Sequence, residues 1–249
     1  MDLKDKVALV TGGGTGLGRE ITLAFARNGM DVAINYSRSE DDAAQTVKDV
    51  QSLGRRAIMV KADVADDSQV RAMAEQVGGE LGRIDVLVNN AGKTVFVKFP
   101  DLEGMLESDW DSIMAVNTKA PFLCARAVAP FMKRQGAGKV INISSVSGLR
   151  PGGSSIAYAV SKGALQMLSR CLALAMAPEI AVNTISPGIM DTRWGRLWGE
   201  EAIARMVRDS PLQRVPGLDD IASAAVFLAE NDSMTGQTIL IDSGRHMPI

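Results

Sequence analysis

The chain has 249 residues, 46% of them hydrophobic and 22% charged, enough apolar content to bury one sizeable core and too much for a disordered tail. Its 27 basic and 29 acidic residues give a formal charge of −2, which argues against a basic face gripping nucleic acid or an anionic membrane and favours small-molecule partners. No uncharged apolar run approaches the roughly 18 residues of a membrane-spanning helix, and the first six residues lack a signal peptide's apolar centre, so the expected address is the cytoplasm.

In chain order, short runs rich in Val, Ile and Leu fall at Val7–Val10, Val32–Asn35, Ala57–Lys61, Val86–Asn89, Val140–Ile143, Ala181–Ile185 and Thr238–Ile241. The segments between them are long enough for helices. Strands that are apolar throughout have no side to show to water, so this alternation predicts a parallel sheet covered on both faces. Gly29, Gly54 and Gly82 precede the second, third and fourth runs, where helix stops belong. Length alone leaves a doubly wound sheet and a closed barrel both open.

The first strand leads into Thr11-Gly12-Gly13-Gly14-Thr15-Gly16-Leu17-Gly18, followed by a helical stretch from Arg19 to Asn28. Glycines let such a turn close tightly and bring backbone N–H groups to a pyrophosphate, with the helix N-terminus adding partial positive charge. No Gly-Lys-Ser/Thr follows, which disfavours a P-loop. A purely structural turn and a methyltransferase cofactor loop remain alternatives at this point.

Cys124 and Cys171 are far apart and the one histidine, His246, stands near the end of the chain. Zinc fingers, metalloprotease helices and Ser-His-Asp hydrolases are thereby excluded, and no metal site is expected. Both cysteines read as small core hydrophobes. Chemistry is left to Ser, Tyr, Lys, Asn, a carboxylate or a borrowed cofactor.

Further along, Asn89-Asn90-Ala91-Gly92 ends the fourth strand, Asn117 lies in the next helix, Ser144-Ser145 ends the fifth strand, and Tyr158-Ala-Val-Ser-Lys162 follows. With the glycine turn, Pro187-Gly188 and Thr235-Gly236-Gln237, these residues make the chain resemble a short-chain dehydrogenase/reductase nearly end to end, in its 3-oxoacyl-carrier-protein reductase and sugar or alcohol dehydrogenase branch. The resemblance implies an α/β fold of one domain over residues 1–249, a Rossmann-type doubly wound parallel sheet with helices on both faces. It implies an enzyme that interconverts a ketone and a secondary alcohol with a nicotinamide cofactor, built as a homotetramer or homodimer. The alternative is a catalytically silent cofactor-binding sensor.

Reducing a carbonyl leaves an alkoxide to be protonated, which needs an acid whose pKa lies near working pH. Tyr158 and Lys162 are four residues apart, hence on one helix face, and an ammonium beside the phenol favours phenolate. By resemblance Tyr158 is the acid/base, Lys162 also holds the nicotinamide ribose, Ser145 bonds the substrate oxygen, and Asn117 anchors a water chain that refills the proton. The resemblance sets Gly12, Gly14, Thr15, Gly16, Leu17 and Gly18 on the pyrophosphate, Asp63 and Val64 on the adenine, and Asn90, Ala91 and Gly92 beside the adenosine. Pro187, Gly188, Ile189 and Thr192 complete the cofactor site. Where NAD enzymes end the second strand on a carboxylate, this chain has Tyr36 followed by Ser37 and Arg38, a hydroxyl and a guanidinium suited to a phosphate, so NADP(H) is favoured over NAD(H).

Residues 189–212 are expected to form a lid containing Trp194, Leu197, Trp198 and Met206, its two tryptophans lining an apolar pocket or bracing the lid or a subunit contact. Arg193 and Arg196 read chiefly as surface partners of Glu200 and Glu201. Residues 94–97 and 147–153 are further pocket candidates. Carrier-protein reductases often place a basic residue and Glu where this chain reads Leu174-Ala-Met176, an apolar face that weakens the acyl-carrier reading and suits a helix-to-helix subunit contact.

Overall fold

The computed structural model describes residues 1–190 and 192–247, without the side chains of Arg193 and Trp194. The strands are β1 (Val7–Val10), β2 (Asp31–Tyr36), β3 (Ala57–Lys61), β4 (Val86–Asn89), β5 (Gly138–Ile143), β6 (Ile180–Pro187) and β7 (Thr238–Ile241). All pair in parallel, in the order β3-β2-β1-β4-β5-β6-β7, so the sheet is open and doubly wound rather than a barrel. The chain reverses direction across the sheet between β1 and β4, the place where open α/β sheets bind ligands beyond their carboxyl ends.

The helices are α1 (Gly16–Arg27), α2 (Glu40–Ser52), α3 (Asp67–Leu81), α4 (Glu107–Met114), α5 (Ala120–Arg134), α6 (Ile156–Met176), α7 (Arg193–Arg196), α8 (Glu200–Arg208) and α9 (Leu218–Glu230). Alternate strand residues feed opposite faces. Leu9, Leu87, Val140 and Val182 pack with α3, α5 and the end of α6. Val10, Ile34, Val88 and Ile141 pack with α1, α2 and α9. Burial on both faces is why these strands carry no polar side.

The helix stops behave as the sequence predicts, with Gly82 at φ 85° closing α3, a left-handed conformation that favours glycine. Cys124 is buried in the core as expected, but Cys171 is exposed. It lies on the outer side of α6 with Met167 and Leu174, which are 56% and 85% exposed. That helix is apolar well beyond its core-facing stripe, so composition alone misplaces the thiol.

Candidate active site

The glycine turn is held from two sides. Asn35 Oδ1 accepts from Gly12 N–H at 3.3 Å while its amide donates to the Val60 and Ala62 carbonyls. Asn90 Nδ2 donates to the Thr11 and Gly12 carbonyls at 3.0 and 3.2 Å, and Thr11 Oγ1 accepts from Asn90 N–H and Ala91 N–H. Gly12 and Gly16 have φ of 61° and 51°, where a side chain would be strained. A Cβ on Gly18 would stand 2.2 Å from Gly12 O, and one on Gly14 would meet Ala43 backbone at 2.9 Å. The turn is thus a close-packed junction between β1, β4 and α2, and Asn35, which the sequence reading passed over, is one of its organisers. Asn89 ties strands instead, donating to Asn142 Oδ1 at 2.8 Å.

Ser155 caps α6, its Oγ accepting from Tyr158 N–H at 3.3 Å, which starts the helix so that Tyr158 falls in its first turn and Lys162 one turn later. The two serines at the end of β5 part company. Ser144 is buried, donating to Lys162 O and accepting from Gln166 Nε2. Ser145 joins Tyr158 on the wall of a cavity of about 380 Å³. Gln166 Nε2 also reaches Ser145 O and Ser186 Oγ, so it pins the strand end that presents Ser145. Nothing in its spacing announces that task.

Burial raises the Tyr158 phenol above its ordinary pKa of 10, and a hydrogen bond with Ser145 works the other way. Burial also lowers Lys162 to about 8. Among the described residues the Lys162 ammonium makes no hydrogen bond to the Tyr158 hydroxyl. Its Nζ donates to Ile143 O at 2.8 Å and lies 5.7 Å from the Tyr158 ring centroid, because an ammonium that is 4% exposed needs the nearest main-chain acceptor.

Asn117 is buried in a π-helical turn, Ala115–Lys119, between α4 and α5. Pro121, four residues on, has no N–H for the Asn117 carbonyl, and the turn widens so that Ala120 N–H reaches back five residues to Ala115 O. The Asn117 side chain is engaged, with Oδ1 accepting from Lys93 N–H and Nδ2 donating to Lys93 O and Ser161 Oγ. It joins the segment after β4 to α6, one residue before Lys162.

Gly188, Ile189 and Thr192 reach the same cavity, and a Cβ on Gly16 would meet Thr192 Cγ2 at 3.9 Å. Pro187 ends β6, and Gly92 follows Ala91 beside the glycine turn. Asp63 and Val64 stand just past β3. Val64 is core, and Asp63 Oδ1 accepts from Ala65 N–H while Asp66 is the residue that caps α3. Ser37 and Arg38 are exposed beyond β2, whereas Asp31 at the far end of that strand bonds Arg55 and Arg56, which hold its carboxyl below the usual range.

Of the apolar lid residues singled out in the sequence, Met206 and Trp198 line the cavity. Trp198 also stacks edge-to-face on Phe96 at 5.4 Å, so it both lines and braces. Leu197 and Arg196 are exposed and off the cavity wall, and the side chains of Arg193 and Trp194 lie outside the described residues. Thr94 and Phe96, with Ser147 and 150–153 from the second candidate loop, supply further walls. The C-terminal turn contributes Arg245 and His246, neither of which the sequence marks as a site residue.

An open parallel sheet with a glycine turn at its switch point, and beside it a cavity lined by Ser145 and Tyr158 with Lys162 buried behind them, defines a dinucleotide-dependent oxidoreductase. Residues 6–202 match the family profile described as short chain dehydrogenase. The chain is 35% identical to the 3-oxoacyl-[acyl-carrier-protein] reductase of Staphylococcus epidermidis, over 98% of this chain and 100% of that one. It is 38% identical to the probable galactose dehydrogenase of Rhizobium meliloti, over 98% and 96%. The solved NADPH-dependent 3-quinuclidinone reductase of Rhodotorula rubra superimposes with a TM-score of 0.89 at 30% identity, over 98% and 92%. The chain belongs to the short-chain dehydrogenase family. It is an oxidoreductase of ketone and alcohol groups that works with a nicotinamide cofactor.

The site's own residues fit such a cofactor. The first turn of α1 has no side-chain cap and no acidic residue, leaving its backbone N–H groups to an anion such as the pyrophosphate. Among the described residues no cluster of His, Cys, Asp and Glu could hold a metal, and no helix is long and apolar enough to cross a membrane.

Proposed function

We propose that the protein uses NADP(H) to interconvert a ketone and a secondary alcohol, with Tyr158 exchanging the proton at the substrate oxygen. The observation that carries this is the placement of Ser145 and Tyr158 on one cavity, with buried Lys162 a helical turn behind them. Burial keeps the Tyr158 phenol protonated at neutral pH, so it holds a proton ready for an alkoxide, and Ser145 supplies the hydrogen bond that favours its loss. Lys162, lowered to about 8, is still mostly cationic at pH 7 and stabilises the phenolate left behind. When bound, the cofactor supplies or accepts the hydride.

Asn117 keeps the segment after β4 locked to α6, and the π-helical turn that contains it lies on the route by which Lys162 and Tyr158 regain protons. Gly12, Gly14, Thr15, Gly16, Leu17 and Gly18 hold the pyrophosphate. Ser37 and Arg38 meet the 2′-phosphate, supported by their exposure beyond β2 and by Tyr36, rather than a carboxylate, at the end of that strand. Asp63, Val64, Asn90, Ala91 and Gly92 flank the adenosine, and Pro187, Gly188, Ile189 and Thr192 flank the nicotinamide. The whole chain acts as one catalytic domain in the cytoplasm, with residues 189–212 as its lid. The exposed apolar face of α6 at Val160, Met167 and Leu174 supports assembly through that helix into a dimer or tetramer.

The test is the initial rate of NADPH and NADH oxidation against a 3-oxoacyl thioester, simple ketones, a keto-sugar and a quinone. Turnover of at least one carbonyl, faster with NADPH, is expected; NADH preference would overturn the role of Arg38. Thioester turnover would place the enzyme in acyl-chain reduction despite the apolar Leu174 face.

A further inference from the structure

The catalytic cavity has one cationic end. Arg150, Arg245 and His246 all line it, and among the described residues no Asp or Glu does. His246 is held in one orientation, its Nδ1 2.8 Å from Asp242 Oδ2. That carboxylate is buried and accepts two backbone N–H groups as well, from His246 at 2.7 Å and Gly244 at 3.0 Å. A carboxylate can only accept, so Nδ1 carries a proton and Nε2 is the nitrogen left for a ligand, as a donor to a carboxylate in the imidazolium form of the ring.

Arg245 is likewise uncommitted, with no hydrogen-bond or ion-pair partner to its guanidinium among the described residues. The turn that carries it is well anchored. Leu212 at the end of the lid donates its N–H to Ser243 O at 3.2 Å, and Arg150 Nη2 donates to Met247 O at 3.2 Å. Three segments distant in sequence therefore converge on this end of the cavity: the loop after β5, the end of the lid and the turn after β7. A cation held without a partner in a partly buried wall is a site for an anion, and a guanidinium suits a carboxylate because it offers paired, coplanar donors.

We propose that the substrate is an oxo-acid whose carboxylate is bound by Arg245 and His246, with Arg150 at the rim, while its ketone meets Ser145 and Tyr158 in the same cavity. This rests on the ketone-reducing reading above and names its substrate class. The φ of 59° at Ser243 and 81° at Gly244 turns the chain so that Arg245 and His246 reach the cavity.

The test compares 4-oxo, 5-oxo and cyclic oxo-carboxylates with their methyl esters, using the complete enzyme and NADPH. For the best-fitting member, kcat/KM should favour the acid over the ester by about tenfold or more, since hydrogen bonds to charged groups contribute about 1.5–3 kcal/mol. Arg245→Gln should collapse that ratio mainly through KM of the acid, Arg245→Lys should restore part of it, and His246→Gln should reduce it by a smaller factor. Glutarate should compete with the ester in the parent enzyme and lose potency in Arg245→Gln. Turnover of esters and neutral ketones with an acid-to-ester ratio near one, untouched by Arg245→Gln, would overturn the carboxylate site and leave the ketone chemistry standing. Absence of turnover on every ketone would overturn both.

Discussion

Lys162 is a buried cation that the folded protein carries at a cost, and that cost can be measured. Its pKa falls from 10.5 to about 8 through burial. At about 1.36 kcal/mol per unit, this amounts to a penalty of roughly 3 kcal/mol against the native state at pH 7. The hydrogen bond from Nζ to Ile143 O at 2.8 Å works in the other direction. It offsets about 1.5 kcal/mol. Lys162→Met, which keeps the linear side chain and drops the charge, should therefore stabilise the protein by about 1–2 kcal/mol at pH 7. For a chain of this size that corresponds to a Tm higher by about 2–6 °C. Turnover should be lost in the same variant.

The sign has a pH signature. Between pH 8 and 10.5 the unfolded chain holds the Lys162 proton that the native state has shed, so native stability rises through that window. The variant lacks this rise, which at roughly 3 kcal/mol exceeds its advantage at pH 7, so the advantage should shrink from pH 8 upward, cross zero at about pH 9 and be reversed by pH 10.5. The assay is urea unfolding of both proteins at one fixed protein concentration, at pH 7 and at intervals up to pH 10. A variant less stable than the parent at pH 7, with a difference that stays flat across the window, would refute the reasoning.

Two other substitutions probe the cofactor turn and the assembly. Gly18→Ala would put a Cβ 2.2 Å from Gly12 O and 2.5 Å from Asn90 Nδ2, so the turn must shift. NADPH affinity, read by fluorescence titration, should fall by at least about tenfold, and stability by about 1–3 kcal/mol; normal affinity would contradict the placement of the pyrophosphate there. Leu174→Arg should lower the mass seen by light scattering without altering the far-ultraviolet spectrum, because Leu174 is 85% exposed on one chain and has no other evident use; an unchanged mass would remove α6 from the subunit contact.

The sheet was legible because strands buried on both faces advertise themselves as unbroken apolar runs, and β1, β3, β4 and β7 begin and end where those runs do. β2, β5 and β6 extend further at their ends, since pairing with neighbours recruits Asp31, Gly138, Ile180 and Pro187 whatever their side chains prefer. The Tyr158 and Lys162 spacing correctly puts both on one face of α6, but spacing does not say which acceptor a buried ammonium finds, and Ile143 O was beyond its reach. Cys171 was misplaced because an apolar outer face looks like a core face in sequence. Asn35 and Gln166 act through partners far along the chain, so no local pattern marks them, and His246, though oriented by Asp242 only four residues away, lines a cavity built by distant segments. One signal was available for the last of these: Arg245 and His246 follow the final strand, at the carboxyl edge of the sheet where such folds bind ligands.

The central claim is that Tyr158 exchanges the proton at the substrate oxygen, and Tyr158→Phe tests it with the loss of one hydroxyl. NADPH oxidation should be followed for both proteins on a ketone that the parent reduces, alongside the NADPH dissociation constant of each. Turnover should fall by at least roughly 10²-fold with NADPH affinity nearly unchanged. Turnover equal to that of the parent would contradict the account.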